Sequence, residues 1–166
     1  RILSFINPAS SENVSYQSSQ ALIGLKQGGI SGMGIGESIQ KYSYLPETHT
    51  DFIFAIIGEE MGFITGIILM IAYYIIFYRS IQISKKSNDT FGILLSIGFG
   101  LSISIYALIN IGVVIGIVPV TGVPLPFISY GGSSLITNLM MIAILLNISK
   151  AQRKINVRKW RLRVDA

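Results

Sequence analysis

The short run Glu47-Thr48-His49-Thr50-Asp51 sets two carboxylates and the chain's one imidazole directly ahead of an apolar run, Phe52 to Gly58. At helical spacing Glu47 and Asp51 share one face. A carboxylate at a partly dry membrane surface holds its proton more tightly than in water. It is then suited to act as a general base that takes a proton from a hydroxyl. Asp51, nearest the apolar run, is the deeper of the two. The plainer reading is that Asp51 caps its own helix through backbone amides, since helix starts favour acids, Pro46 suits a first turn and Thr48 followed by Asp51 resembles a capping box. Capping and catalysis are compatible. His49 suits a proton shuttle or a metal ligand, but no second histidine or cysteine accompanies it, so an interfacial histidine is the plainer account.

Other polar groups are candidates of a second rank. Lys26 and Lys41, with Arg1, are the bases that could neutralise the phosphates of an anionic lipid, and solvated loop charges account for each equally well. Glu59 and Glu60 fall inside an apolar stretch, about 100° apart around a helix, so at least one must face protein or water. Buried structural acids are the plainer reading and a proton path the sharper one. Ser102, Ser104 and Asn110 read as helix packing. The alternating Gly32, Gly34 and Gly36 follow no strand and lack the Lys-Ser/Thr of a phosphate loop, which argues against a nucleotide site.

These groups need elements to hold them, and composition says which. Of 166 residues 51% are hydrophobic and 13% charged, too apolar for an ordinary soluble domain. The apolar residues gather into three stretches, 52–78, 91–118 and 133–148, predicting an all-α, polytopic helical membrane protein. The third is short and predicts a broken entry through the Pro/Gly-rich segment 119–132, a turn or re-entrant loop. Residues 1–51 have no span of membrane length and read as a large extracytoplasmic loop, with a short helix over 16–26 ended by Gly28 and Gly29. The run GGISGMGIG should be irregular, a flexible, close-packing segment.

The net charge of +5 would suggest nucleic acid in a soluble protein, but the bases flank the spans. Arg79, Lys85 and Lys86 follow the first, and a basic tail over 149–166, from Lys150 to Arg163, follows the third. By the positive-inside rule both clusters are cytoplasmic, leaving residues 1–51 and 119–132 outside. The start at Arg1, with no span able to deliver the outer loop, reads as a fragment whose earlier spans are missing. With no cysteine there is neither disulfide nor thiolate metal site.

Two segments, YQSSQALIGLKQGGISGMGIGESIQKYSYLPETHTDFIFAIIGEEMG from Tyr16 and INIGVVIGIVPVTGVPLPFISYGGSSLI from Ile109, closely resemble in order the signature segments of the shape, elongation, division and sporulation (SEDS) family. The resemblance implies the C-terminal part of an inner-membrane enzyme: an outer loop and the last three membrane helices. It implies an inverting peptidoglycan glycosyltransferase that polymerises lipid II during cell division and releases undecaprenyl diphosphate, working with a class B penicillin-binding protein. It implies that Asp51 is the essential acid, a general base, with a divalent cation (Mg2+ or Mn2+) as a further expectation and Asp51 as its ligand. Gln40, Lys41 and Glu47 match polar positions of an outer cavity, and Ser129, Tyr130, Gly131 and Gly132 match the loop facing it. His49 and Lys26 join these as substrate contacts. Thr121 stands where some relatives carry Lys, which removes a cationic phosphate contact there. The IQK and PET tripeptides look more like the division-type FtsW branch than the elongation-type RodA branch. A lipid II flippase, with acids inside broken spans, and a non-enzymatic scaffold for the transpeptidase remain the rival readings.

Overall fold

The computed structural model describes residues 12–38, 51–87 and 89–164, with side chains described over 19–38, 51–87 and 89–151. Every regular element among them is a helix: α1 (Glu12–Gly28), α2 (Ile53–Lys86), α3 (Thr90–Val114) and α4 (Gly132–Val164). α2, α3 and the Gly132–Ala151 part of α4 are long and apolar enough to cross a membrane. Large apolar side chains such as Phe63, Ile68, Phe91, Leu94, Leu108 and Ile136 stand exposed on them, as suits helices facing lipid or further helices. The hydropathy therefore reads the class correctly. The boundaries differ from it: α2 runs on to Lys86, and α4 continues as helix through the basic tail, so charge composition and backbone conformation change at different points.

Short connections and small residues bring α2 and α3 together. Asp89 caps α3, its carboxylate accepting the Gly92 amide at 3.3 Å. Along the interface Ser80, Ser84, Ser96 and Gly100 are buried, and a β-carbon on Gly100 would collide with the Ser80 side chain. Small residues of this kind let membrane helices approach closely.

α2 is broken near its start. Gly62 has φ 78° and ψ 178°, a conformation open essentially to glycine alone. In a straight helix Phe54 and Gly66 would lie about 18 Å apart, yet the Phe54 ring packs 3.3 Å from where a Gly66 β-carbon would stand. Residues 53–61 are therefore folded back against residues 63–86. The bend is closed by the glycine run after α1. The amides of Met33 and Gly34 donate to the carbonyls of Glu59 and Glu60, each at 3.0 Å, and the Phe63 amide donates to the Gly29 carbonyl at 3.0 Å. Backbone groups that the break removes from the helix ladder are thus satisfied by another segment. Only glycine allows this approach: a β-carbon on Gly28, Gly32 or Gly62 would run into main-chain atoms of the other strand of chain. The run is irregular, as its composition predicts, but it packs closely only at Gly28 and Gly32, while residues 29–31 and 33–36 are exposed.

Between α3 and α4 the chain returns into the body rather than looping over it. Leu125 and Pro126 are buried, and the Tyr73 hydroxyl donates to the Pro126 carbonyl at 2.6 Å. Tyr73 lies ten residues past Phe63, about 15 Å along α2. Phe52, Phe54 and Ala55 from the folded-back turns, Tyr73 from α2, Ile103, Ala107 and Ile111 from α3, and Leu125 from this segment form one apolar core.

Candidate active site

Asp51 stands at the end of the folded-back turns. The start of α2 leaves its main chain outside the helix: the amides of Ala55 and Ile56 both donate to Phe52, and Phe52, not Asp51, occupies the N-cap position without a side-chain cap. The Asp51 carbonyl is taken instead by Asn110 of α3, whose Nδ2 donates to it at 2.9 Å and to the Val123 carbonyl at 2.8 Å. One carboxamide thereby fastens the start of α2, the last turns of α3 and the Pro/Gly-rich segment to one another. Asp51 does not mark the far end of a straight span, as its sequence position suggests. The bend at Gly62 carries it back alongside α3, while Glu59 and Glu60 sit at the bend.

Beside Val123 opens a crevice of about 360 Å3, within the size range of small-molecule sites. Its walls are Gly122, Val123 and Pro124, Tyr106 of α3, and Ser133, Ser134, Thr137 and Asn138 from the first turns of α4. The first amides of a helix have no intrahelical acceptor, and here they carry the positive end of the α4 dipole. Leu135 is the first to close the ladder, onto Gly131. That leaves the amides of Gly132, Ser133 and Ser134 at the crevice end of α4, an arrangement that favours an anion. A second cavity, about 340 Å3 between α2 and α3, is walled by Met70, Tyr73, Tyr74, Phe77, Leu101 and Leu108 and offers no carboxylate.

Of the residues singled out from sequence, Ser129, Tyr130, Gly131 and Gly132 lie in the turn that leads into α4. Ser129 is buried and braces that turn: its hydroxyl accepts the Leu125 amide at 2.7 Å, and its own amide donates to the Leu125 carbonyl at 3.0 Å. The turn holds Phe127 at φ 66°, strain that a bulky residue adopts only where its surroundings impose it. Tyr130 is 83% exposed, a side chain available for a ligand or a partner. Lys26 is exposed in the last turn of α1. Gln40, Lys41, Glu47 and His49 lie outside the described residues.

Glu59 is fully buried and accepts the Ser38 hydroxyl at 2.5 Å, so one of the two in-span acids faces protein, as its cost in an apolar setting requires. Glu60 keeps a buried Oε1 with no partner among the described residues. As for a resident cation, no three carboxylate or imidazole groups converge among the described residues. Asp51 is one carboxylate, and Mg2+ is held through one or two carboxylates together with substrate phosphates, so this residue fits a cation that a diphosphate also binds.

Two participants escape sequence reasoning. Asn110 reads as packing because a lone amide in a span has many possible partners, and its two carbonyl acceptors are 59 and 13 residues away in sequence. The available signal is its place just before a Pro/Gly-rich segment that needs donors. Ser38, the Glu59 donor, carries no signal at all.

Comparison with known proteins identifies the family. Stage V sporulation protein E of Bacillus subtilis (strain 168) is 46% identical over 154 residues, 92% of this chain and 42% of that protein. A probable peptidoglycan glycosyltransferase FtsW of Buchnera aphidicola subsp. Schizaphis graminum is 49% identical over 152 residues, 89% of this chain and 43% of that protein. A chain from a solved peptidoglycan synthase complex that coordinates polymerization and crosslinking superposes with a TM-score of 0.70 at 26% identity, over 92% of this chain and 41% of that one. The chain thus spans less than half the length of the relatives it matches. The sequence model of the FtsW, RodA and SpoVE family, described as cell cycle protein, matches residues 1–154, and the chain belongs to that family.

Proposed function

We propose that this chain forms the catalytic end of a peptidoglycan glycosyltransferase of the division type, polymerising lipid II into glycan strands. One observation carries the reading: the fold-back of α2 sets the Asp51 main chain on the same Asn110 carboxamide as Val123, a wall residue of the crevice that Ser133 and Ser134 of the α4 start also line. A base and an anion-favouring helix start are what such a transfer needs. The Asp51 carboxylate takes the proton of the acceptor sugar hydroxyl, and that oxygen attacks the anomeric carbon of the donor to form the new β-1,4 bond. The bond from that carbon to the phosphate oxygen breaks, and the electron pair leaves with undecaprenyl diphosphate, whose charge the amides of Gly132, Ser133 and Ser134 stabilise. The apolar cavity between α2 and α3 suits an isoprenoid chain. Asp51 would hold a divalent cation bound with the diphosphate, and that cation would supply neutralising charge at the leaving group. The partner is a class B penicillin-binding protein, a proposal supported by the synthase complex in which the structural relative was solved. The basic residues Arg79, Lys85 and Lys86 and the tail after Lys150 support a plasma-membrane orientation with the C-terminus in the cytoplasm.

A second reading has its own observation. Glu59, buried beside a broken helix, is the kind of in-span acid a lipid II flippase uses. The deciding experiment is lipid II polymerisation by the full-length protein with its transpeptidase partner, wild type against Asp51→Ala at equal expression. Glycan polymer from the wild type and none from a folded, partner-bound variant supports the enzyme. Equal polymer from both removes Asp51 from catalysis, and lipid II translocation by a Glu59→Gln variant in proteoliposomes then tests the flippase.

A further inference from the structure

The Asn110 carboxamide has a demand placed on it that packing does not explain. Both atoms it binds are main-chain carbonyl oxygens, which only accept, so its nitrogen must face them and its oxygen must point away. That oxygen is buried without a partner among the described residues, and Asn110 itself is 1% exposed. Burying an unpaired amide oxygen is unfavourable, and a side chain selected for packing alone would be apolar here. The Asp51 carbonyl lies outside the α2 ladder because Ala55 donates to Phe52.

We infer that Asn110 is the positioning residue of the transferase reaction: it sets the main chain of Asp51 relative to the crevice wall at Val123, and so sets the reach of the base to the acceptor hydroxyl. This rests on the proposed role of Asp51. The bend at Gly62 brings the acid into the neighbourhood, and the two bonds from Asn110 fix its last displacement. Losing them leaves in place the crevice walls from α3 and α4 and the helix start that would bind the diphosphate. The effect therefore falls on turnover and not on substrate binding.

The test uses the full-length protein with its transpeptidase partner, measuring kcat and KM for lipid II polymerisation and the melting temperature for wild type, Asn110→Leu and Asp51→Asn. Leu keeps the size of Asn and removes both donors. The expected result for Asn110→Leu is a fall in kcat on the order of tenfold to a hundredfold with KM changed by less than about twofold, while Asp51→Asn is inactive. Wild-type kcat in Asn110→Leu, with Asp51→Asn still inactive, overturns the inference and leaves the enzyme reading standing. A joint loss of kcat, substrate binding and thermal stability also overturns it, because Asn110 is then a structural support. An active Asp51→Asn removes the base itself and this inference with it. Where Asn110→Leu fails to accumulate, Asn110→Ser, which keeps one donor with a shorter reach, is read by the same kcat-against-KM criterion.

Discussion

Replacing Gly62 by alanine tests the splice between the glycine run and the broken helix. The perturbation is one methyl group at φ 78° and ψ 178°. Holding a non-glycine residue in that region costs about 1–3 kcal/mol. The methyl carbon would also stand 2.5 Å from the Gly32 nitrogen and against the Ile30 carbonyl, main-chain atoms that can retreat only by loosening the bonds from Met33, Gly34 and Phe63. Each of those bonds contributes about 0.5–1.5 kcal/mol. The chain must accept the strain or surrender the splice, and either way the loss is on the order of 3 kcal/mol. A continuous helix through residue 62 offers partial relief, since alanine is favoured over glycine by about 1 kcal/mol. It would, however, swing residues 53–61 away from Gly66 and pull Asp51 off Asn110. Hydrogen exchange on the full-length protein in detergent reads this directly. The Met33 and Gly34 amides should exchange roughly a hundredfold faster in Gly62→Ala, the factor that about 3 kcal/mol implies. Lipid II polymerisation should fall in parallel. Gly98→Ala is the control: nothing lies within 4 Å of its β-carbon, so it should be neutral or stabilise α3 by up to about 1 kcal/mol. Unchanged exchange at Met33 and Gly34 with an unchanged melting temperature would refute the reasoning.

Gly100→Ala forces a methyl group into the Ser80 side chain at the α2–α3 contact and should destabilise by about 1–3 kcal/mol, read as a lower melting temperature; adding Ser80→Gly should recover most of it. Tyr73→Phe strands the buried Pro126 carbonyl and should cost about 1–3 kcal/mol, with faster exchange of the Ile128 and Ser129 amides as the local sign.

Class was legible in the sequence because the apolar runs of α2, α3 and α4 are too long for any other setting, and the glycine run announced its irregularity through residues that disfavour helix. The bend was not legible. Gly62 sits in an apolar run where glycine is unremarkable, as Gly98 inside the regular helix α3 shows, and only the distant carbonyls and amides of residues 29–34 give it meaning. The same limit hid Asn110: a carboxamide has no period, and its worth lies in two acceptors that the fold brings from elsewhere. Asp51 was found as an acid at a membrane boundary, but its return along α3 follows from that unseen bend.

The splice also decides how long the first span is. Without it, the 34 residues of α2 could form an unbroken helix of about 51 Å, far beyond a hydrocarbon core of about 30 Å. Residues 63–86 alone reach about 36 Å, close to a bilayer's demand. During insertion α2 has therefore two lengths available, and the excess of the longer must be met by tilting or by bilayer deformation. Docking of residues 29–34 selects the shorter. Bilayer thickness and loop docking are coupled in this chain: a thinner membrane favours the docked, bent state, and a thicker one draws the first turns of α2 back into line.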